Sequence, residues 1–187
     1  MIRAAVPDWQ LRRHRGPGKP SRHRSFALWS RCGRYRYLLL RRWAPGPRLG
    51  FVMLNPSRAT EARNDPTIAR CEARARAAGY GGLVITNLFA LCATDPARLK
   101  RARGPVGRWN DAALDRAAAA AALTICAWGL HGTHRGRDRA VLARLLARGA
   151  PLAALGLTRD GHPRHPLYLP AAAGPQPFPL AESSTSS

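Results

Sequence analysis

Four short stretches of the chain carry side chains that could act on a small polar ligand. They are Asn55-Pro56-Ser57, Asn87, Trp128-Gly129 and the histidine-proline run from His162 to Pro166. A carboxamide such as Asn55 or Asn87 both donates and accepts hydrogen bonds, although it is a poor base. His162 and His165 are flanked by prolines and so are held rigidly, which singles out His165. Pro56, Pro163 and Pro166 restrict the loops on which these groups sit. A second tier holds Asp65, Arg58 and His162. Asp65 with Pro66 fits a helix cap followed by the first helical position, which turns N–H groups toward any anion in the preceding loop. Each assignment has a plainer alternative. Strand-end asparagines satisfy loop backbone, Trp128 fills core, and His131 and His134, despite their H-x-x-H spacing, lie in a glycine-rich loop with no nearby acid. Neither a metal nor a cofactor is expected.

What must position these residues is a set of apolar runs. Residues 49–54, 82–88, 123–128 and 152–157 read as buried strands, and they alternate with helical patterns opened at Asp65, Asp95 and Asn110 and near Arg137. Parallel neighbours need crossovers, usually helical, so the expected fold is α/β: a three-layer αβα sandwich with a central, mainly four-stranded parallel sheet. Residues 34–43 alternate aromatic and branched residues with arginine, as an exposed edge strand or as one arm of a hairpin with residues 25–30. Parallel strands bring their carboxyl ends to one edge, so all four stretches would line one cleft. The expected organisation is a disordered basic arm over 1–25, a single α/β domain over 26–170, and a disordered Pro/Gly/Ser-rich tail over 171–187.

Composition narrows the partners. The 187 residues, 45% of them apolar, suffice for one core. The formal charge is +21, and residues 1–48 hold 13 Lys or Arg against the single acid Asp8. Such an excess suits a polyanion, so nucleic acid or a nucleotide is the expected partner class. Biased composition is the competing explanation, since Lys19 and Lys100 are the only lysines. Bias accounts for Arg in place of Lys but not for the scarcity of acids. No run is long and apolar enough for a membrane span and no signal sequence opens the chain, so a cytoplasmic location without membrane or obligate protein partner is expected. Cys32, Cys71, Cys92 and Cys126 form no Cys-x-x-Cys pair, which favours reduced, buried thiols.

The stretches MLNPS, NDPTIARC, YGGLVITNLFA, ATDP, Asn110-Asp111-Ala112, AWG and GHPRHPLYLP resemble, in order, the motifs of the bacterial family labelled domain of unknown function 1643, over residues 35–170. More distantly the chain resembles the uracil-DNA glycosylase superfamily, in which an Asn-Pro-Gly or Asp-Pro motif follows the first strand, an asparagine ends the second and a His-Pro motif follows the last. That likeness implies that Asn55 places a water or the sugar, Asn87 reads an extruded base, His165 stabilises the departing base, and Pro56 and Pro166 stiffen loops that press on phosphate. It implies N-glycosidic, base-releasing chemistry on nucleic acid or a modified nucleoside. The chain departs from the family's NPST and DDPT at Arg58 and Asn64, and no aromatic lies between Asn55 and Tyr80 to stack on a base. Those departures favour the alternative, a non-catalytic nucleic-acid or nucleotide-binding module, whereas the order of Asn55, Asn87 and His165 favours the enzyme.

Overall fold

The computed structural model describes residues 9–15 and 24–179. The chain runs β1 (Trp9–Arg15), β2 (Arg24–Ser30), β3 (Arg36–Arg42), β4 (Arg48–Met53), α1 (Pro66–Ala77), β5 (Gly82–Asn87), α2 (Pro96–Arg101), α3 (Asn110–Ala120), β6 (Leu123–Cys126), α4 (Arg137–Leu146), β7 (Leu152–Ala154) and β8 (Gln176–Pro177). All eight strands share one sheet in the order β1-β2-β3-β5-β4-β6-β7-β8. Asp65 caps α1, its Oδ1 accepting from Ile68 N at 2.9 Å, and Asp95 caps α2 by accepting from Ala97 N at 2.8 Å. Proline follows each cap, where a missing N–H costs nothing.

The sheet is mixed and mainly antiparallel, which corrects the expected, mainly four-stranded parallel sheet. Four of its seven pairings are antiparallel, and the parallel ones join β5, β4, β6 and β7. The excess comes from the ends of the chain. β3 forms the expected hairpin with β2, but it is not an edge strand, because it pairs with β5 on its other side, and Tyr37, Leu38 and Leu39 are buried. Its flanking arginines gave it the look of an edge, but Arg36 and Arg41 are themselves buried. β1, inside the stretch read as a disordered arm, pairs with β2; the rest of that stretch lies outside the described residues or belongs to the start of β2. β8, inside the expected disordered tail, pairs with β7, and the buried Phe178 beside it meets the Trp128 ring edge-on at 6.0 Å. Arg74 of α1 ties down the same segment by donating to the carbonyls of Leu169, Pro170, Ala171 and Ala173. Residues 180–187 lie outside the described residues.

Helices cover both faces. Ile68, Cys71 and Ala75 of α1 pack on Phe51, Met53, Leu83, Ile85 and Ile125. On the other face Leu114 and Ala118 of α3 and Val141 and Leu145 of α4 pack on Val52, Cys126 and Ala154. Each fully buried large apolar side chain contributes about 1.5–3 kcal/mol relative to exposure, so these two layers hold the sheet. Gly50 lets the second layer approach: a Cβ there would stand 2.8 Å from Thr124 Oγ1 and 3.0 Å from Ala121 Cβ. Among the described residues no helix is long and apolar enough to cross a membrane.

Candidate functional site

The loops after β4, β6 and β7 leave the carboxyl edge of the parallel strands together and enclose a cleft of about 560 Å³. Asn55, Ser57, Trp128, Gly129 and His165 all line it. Asn55 is fixed through its nitrogen, Nδ2 donating to Ala93 O at 2.6 Å, to Pro56 O at 3.0 Å and to Leu91 O at 3.5 Å. The amide therefore ties two loops together, as the plainer reading expected. Its Oδ1 takes no partner among the described residues and remains an acceptor.

His165 precedes a short 3-10 turn, Pro166–Tyr168, and its Nδ1 accepts from Leu167 N at 3.3 Å. An accepting Nδ1 carries no proton, so Nε2 bears it and is a donor. Burial lowers the pKa of His165 below the ordinary imidazole range, against an opposing pull from the Asp65 carboxylate. The ring is thus neutral near pH 7. It stands 5.6 Å from the ring of Tyr168. Trp128 is buried, with Gly132 pressed against its ring so closely that a Cβ there would lie 2.2 Å from Cδ1. It is wall and core at once. Gly129 adopts φ +68° and donates its N–H to Pro163 O at 2.8 Å, which locks the β6 loop to the histidine loop.

The remaining candidates are placed elsewhere. Asn87 is buried at the end of β5 and does not line the cleft; Asn110 Nδ2 donates to its backbone oxygen at 2.9 Å, and its own Oδ1 has no partner. Pro56 and Pro166 are buried behind the lining, and Arg58 is exposed outside it. Asp65 spends one oxygen on the helix cap and the other on Ala59 N at 3.2 Å. His162 closes a turn, its N–H donating to Thr158 Oγ1 at 3.0 Å and its carbonyl accepting from Thr158 N at 2.8 Å. His134 packs on Phe89 while His131 lines the cleft, so the H-x-x-H spacing puts the two rings to different uses.

Asn64 lies away from the cleft. Its Oδ1 accepts from Arg41 Nε at 3.1 Å and Nη2 at 3.0 Å, and its Nδ2 donates to Glu72 at 2.9 Å. Of the cysteines, Cys71 and Cys126 are buried and Cys92 half-buried, but Cys32 is exposed, contrary to expectation. Hydrogen bonding from Ser30 and from Arg34 lowers the Cys32 pKa to about 7, whereas burial pushes Cys71 up to about 12.

Among the lining residues that sequence reasoning missed are Tyr168, Arg164 and Thr158. Tyr168 is 73% exposed and brings an aromatic ring to the cleft lining. Its signal was the Pro-Leu-Tyr that follows His165. Among the lining residues there is no carboxylate; the walls are Leu54, Leu130 and Trp128, the polar side chains include Asn55, Ser57, Thr94 and Thr158, and Arg164 is the one arginine.

A protein-family model described as "Protein of unknown function (DUF1643)" matches residues 36–167. Comparison with curated proteins and with solved structures found no match.

Proposed function

The chain belongs to the DUF1643 family of proteins of unknown function, so its activity has to be read from its own cleft, and we propose that this cleft binds the base of a nucleotide or of a nucleic acid strand. The observation that carries this reading is the lining. Apolar walls, an exposed tyrosine ring and neutral hydrogen-bonding groups suit a flat, uncharged heterocycle, and Arg164 beside them suits an attached phosphate. A carboxylate would repel that phosphate, and none lines the site.

The protonated Nε2 of His165 favours a second reading, N-glycosidic bond cleavage of the kind the uracil-DNA glycosylase resemblance implies. In it, the neutral imidazole donates to the base oxygen as the C–N bond breaks heterolytically, the electron pair leaves with the base, and water held at Asn55 Oδ1 adds to the sugar cation and loses its proton to solvent. With no carboxylate in the lining, electrostatic positioning would supply most of the rate. Asn87, kept out of the lining, has no part in this scheme.

Calorimetric titration with deoxyuridine and its monophosphate tests the binding reading: Tyr168→Ala and His165→Ala should each weaken affinity about tenfold, equivalent to about 1.4 kcal/mol, with an unchanged thermal midpoint. Parent and variants binding alike would reject it. Base release from a deoxyuridine-containing strand tests the second reading, where His165→Ala should lower the rate about 10²–10³-fold. A parent that releases no base leaves the cleft a binding site.

A further inference from the structure

Beyond Ala93 and Thr94, which line the cleft, lies a second concavity, of about 490 Å³. Arg34, from the turn before β3, and Arg98, Arg101 and Arg103, from α2 and the turn after it, line it together with Tyr35 and Leu91. All four arginines are exposed, none takes part in an ion pair among the described residues, and no carboxylate joins the lining. Asp95, the nearest acid in sequence, is occupied as the cap of α2. Arg34 is in contact with the Cys32 thiol, a weak and titrating partner for a guanidinium.

Nothing in the fold scatters these charges; several contacts gather them. Arg135 donates to Ala102 O at 2.8 Å and to Arg103 O at 3.0 Å, and Tyr35 Oη donates to Gly104 O at 3.0 Å, so the turn bearing Arg103 is held against β3. Four guanidinium groups kept together without an acid repel one another, and an anion between them relieves that repulsion. The planar fork of arginine matches phosphate oxygens in pairs. The Tyr35 ring, parallel to that of Tyr37 within 7° at 6.4 Å, adds an aromatic surface beside the charges. Guanidinium groups interleaved with aromatic rings are the combination that holds single strands, phosphates on one and bases on the other. The two concavities share a wall: Leu91 lines the arginine groove, and Ala93 and Thr94 line the cleft.

We propose that Arg34, Arg98, Arg101 and Arg103 form a groove that holds the phosphates of a single-stranded nucleic acid, with a neighbouring base of the same strand seated in the cleft. The second half rests on the base-binding reading above; the groove does not.

Fluorescence anisotropy of the full chain with a labelled oligothymidylate of about 12 nucleotides, within the usual span of single-strand sites, tests it. The variant Arg34→Gln/Arg98→Gln/Arg101→Gln/Arg103→Gln should bind at least about tenfold more weakly, and its log–log salt slope should fall by roughly 0.7 for each phosphate that is no longer neutralised. A charge-matched control, Arg24→Gln/Arg63→Gln/Arg116→Gln/Arg139→Gln, should weaken binding by no more than about threefold. Equal weakening in the two variants would overturn the groove, since diffuse charge would then suffice. Equal affinity for the strand and for its duplex, or displacement by oligoglutamate as effective as by unlabelled strand, would overturn the assignment to single strands. Tyr168→Ala separates the halves: if it leaves strand affinity intact while the groove variant weakens it, the base-binding reading fails and the groove stands.

Discussion

At the scale of single residues the site turns on which side chains a loop can carry out of the sheet. Asn55 and His165 do reach the cleft, because each lies in a loop beyond the last paired residue of its strand. Asn87 does not, because it is the last paired residue of β5, a strand flanked on both sides, and Asn110 closes over its backbone. Apolar runs mark where strands end only approximately, so a one-residue difference of this kind is invisible in them. Tyr168 escaped notice because a 3-10 turn, with no long-range pattern, carries it, and Arg164 because it lies in the irregular loop before that turn. For His165 burial sets a testable pH dependence. The unfolded imidazole protonates near pH 6.5, the folded one only below that, so the fold favours the neutral ring. As pH falls below about 6.5 the unfolded chain takes up the extra proton first and stability declines, while above it the contribution is fully present. Affinity for deoxyuridine, which has no group titrating in this range, should therefore stay level from about pH 8 through 6.5 and fall only below it, and His165→Gln should be flat throughout. Affinity that rises as pH falls in calorimetric titrations would mean that the charged imidazole is the binding form.

Elements were more legible than their arrangement. The four central strands, the two proline-led caps and the helices on them could be read from periodicity and punctuation, since each depends on neighbours within a few residues. The hairpin of β2 with β3 could be read as well, but the pairings of β1 with β2 and of β3 with β5 and the return of β8 could not, and arginine misled the reading of β3 as an edge because it was taken as solvent-facing. Arg41 shows why that inference failed. Its guanidinium donates to the backbone oxygens of Thr60, Glu61 and Arg63, to Asn64 Oδ1 and to Ser25 Oγ, so it organises the loop joining Ser57 to α1. Arg36 reaches Ala59 O from the same strand and is almost wholly buried. Burial lowers the pKa of both. Removing one partner of buried hydrogen bonds leaves the others unsatisfied, at about 1–3 kcal/mol per group. Arg41→Met should lower the unfolding free energy by about 2–3 kcal/mol in urea titrations and speed amide exchange in residues 59–64. Exchange confined to the strand ends, with the loop unchanged, would show that the loop holds itself.

At the scale of the whole molecule the dominant fact is 31 basic residues against 10 acidic ones. The described acids are largely engaged: Glu72, Asp111 and Asp115 pair with Arg76, Arg137, Arg144 and Arg148, Asp65 and Asp95 cap helices, and Glu61 accepts from Trp29 Nε1. Most arginines consequently have no acid to meet, and their mutual repulsion weighs on the compact state more than on the expanded one. Surface ion pairs contribute about 0–1 kcal/mol each, too little to offset an excess of this size. Salt should then stabilise this protein. Raising ionic strength from about 0.01 M to about 1 M shortens the screening length from roughly 30 Å to roughly 3 Å, which weakens the many long-range repulsions far more than the few close contacts. The thermal midpoint followed by circular dichroism should rise across that range. A short single strand added at low salt should raise the midpoint too, and this second gain should vanish at high salt, because phosphate binding is itself screened. A midpoint that falls as salt is added would show that ion pairs outweigh the excess charge.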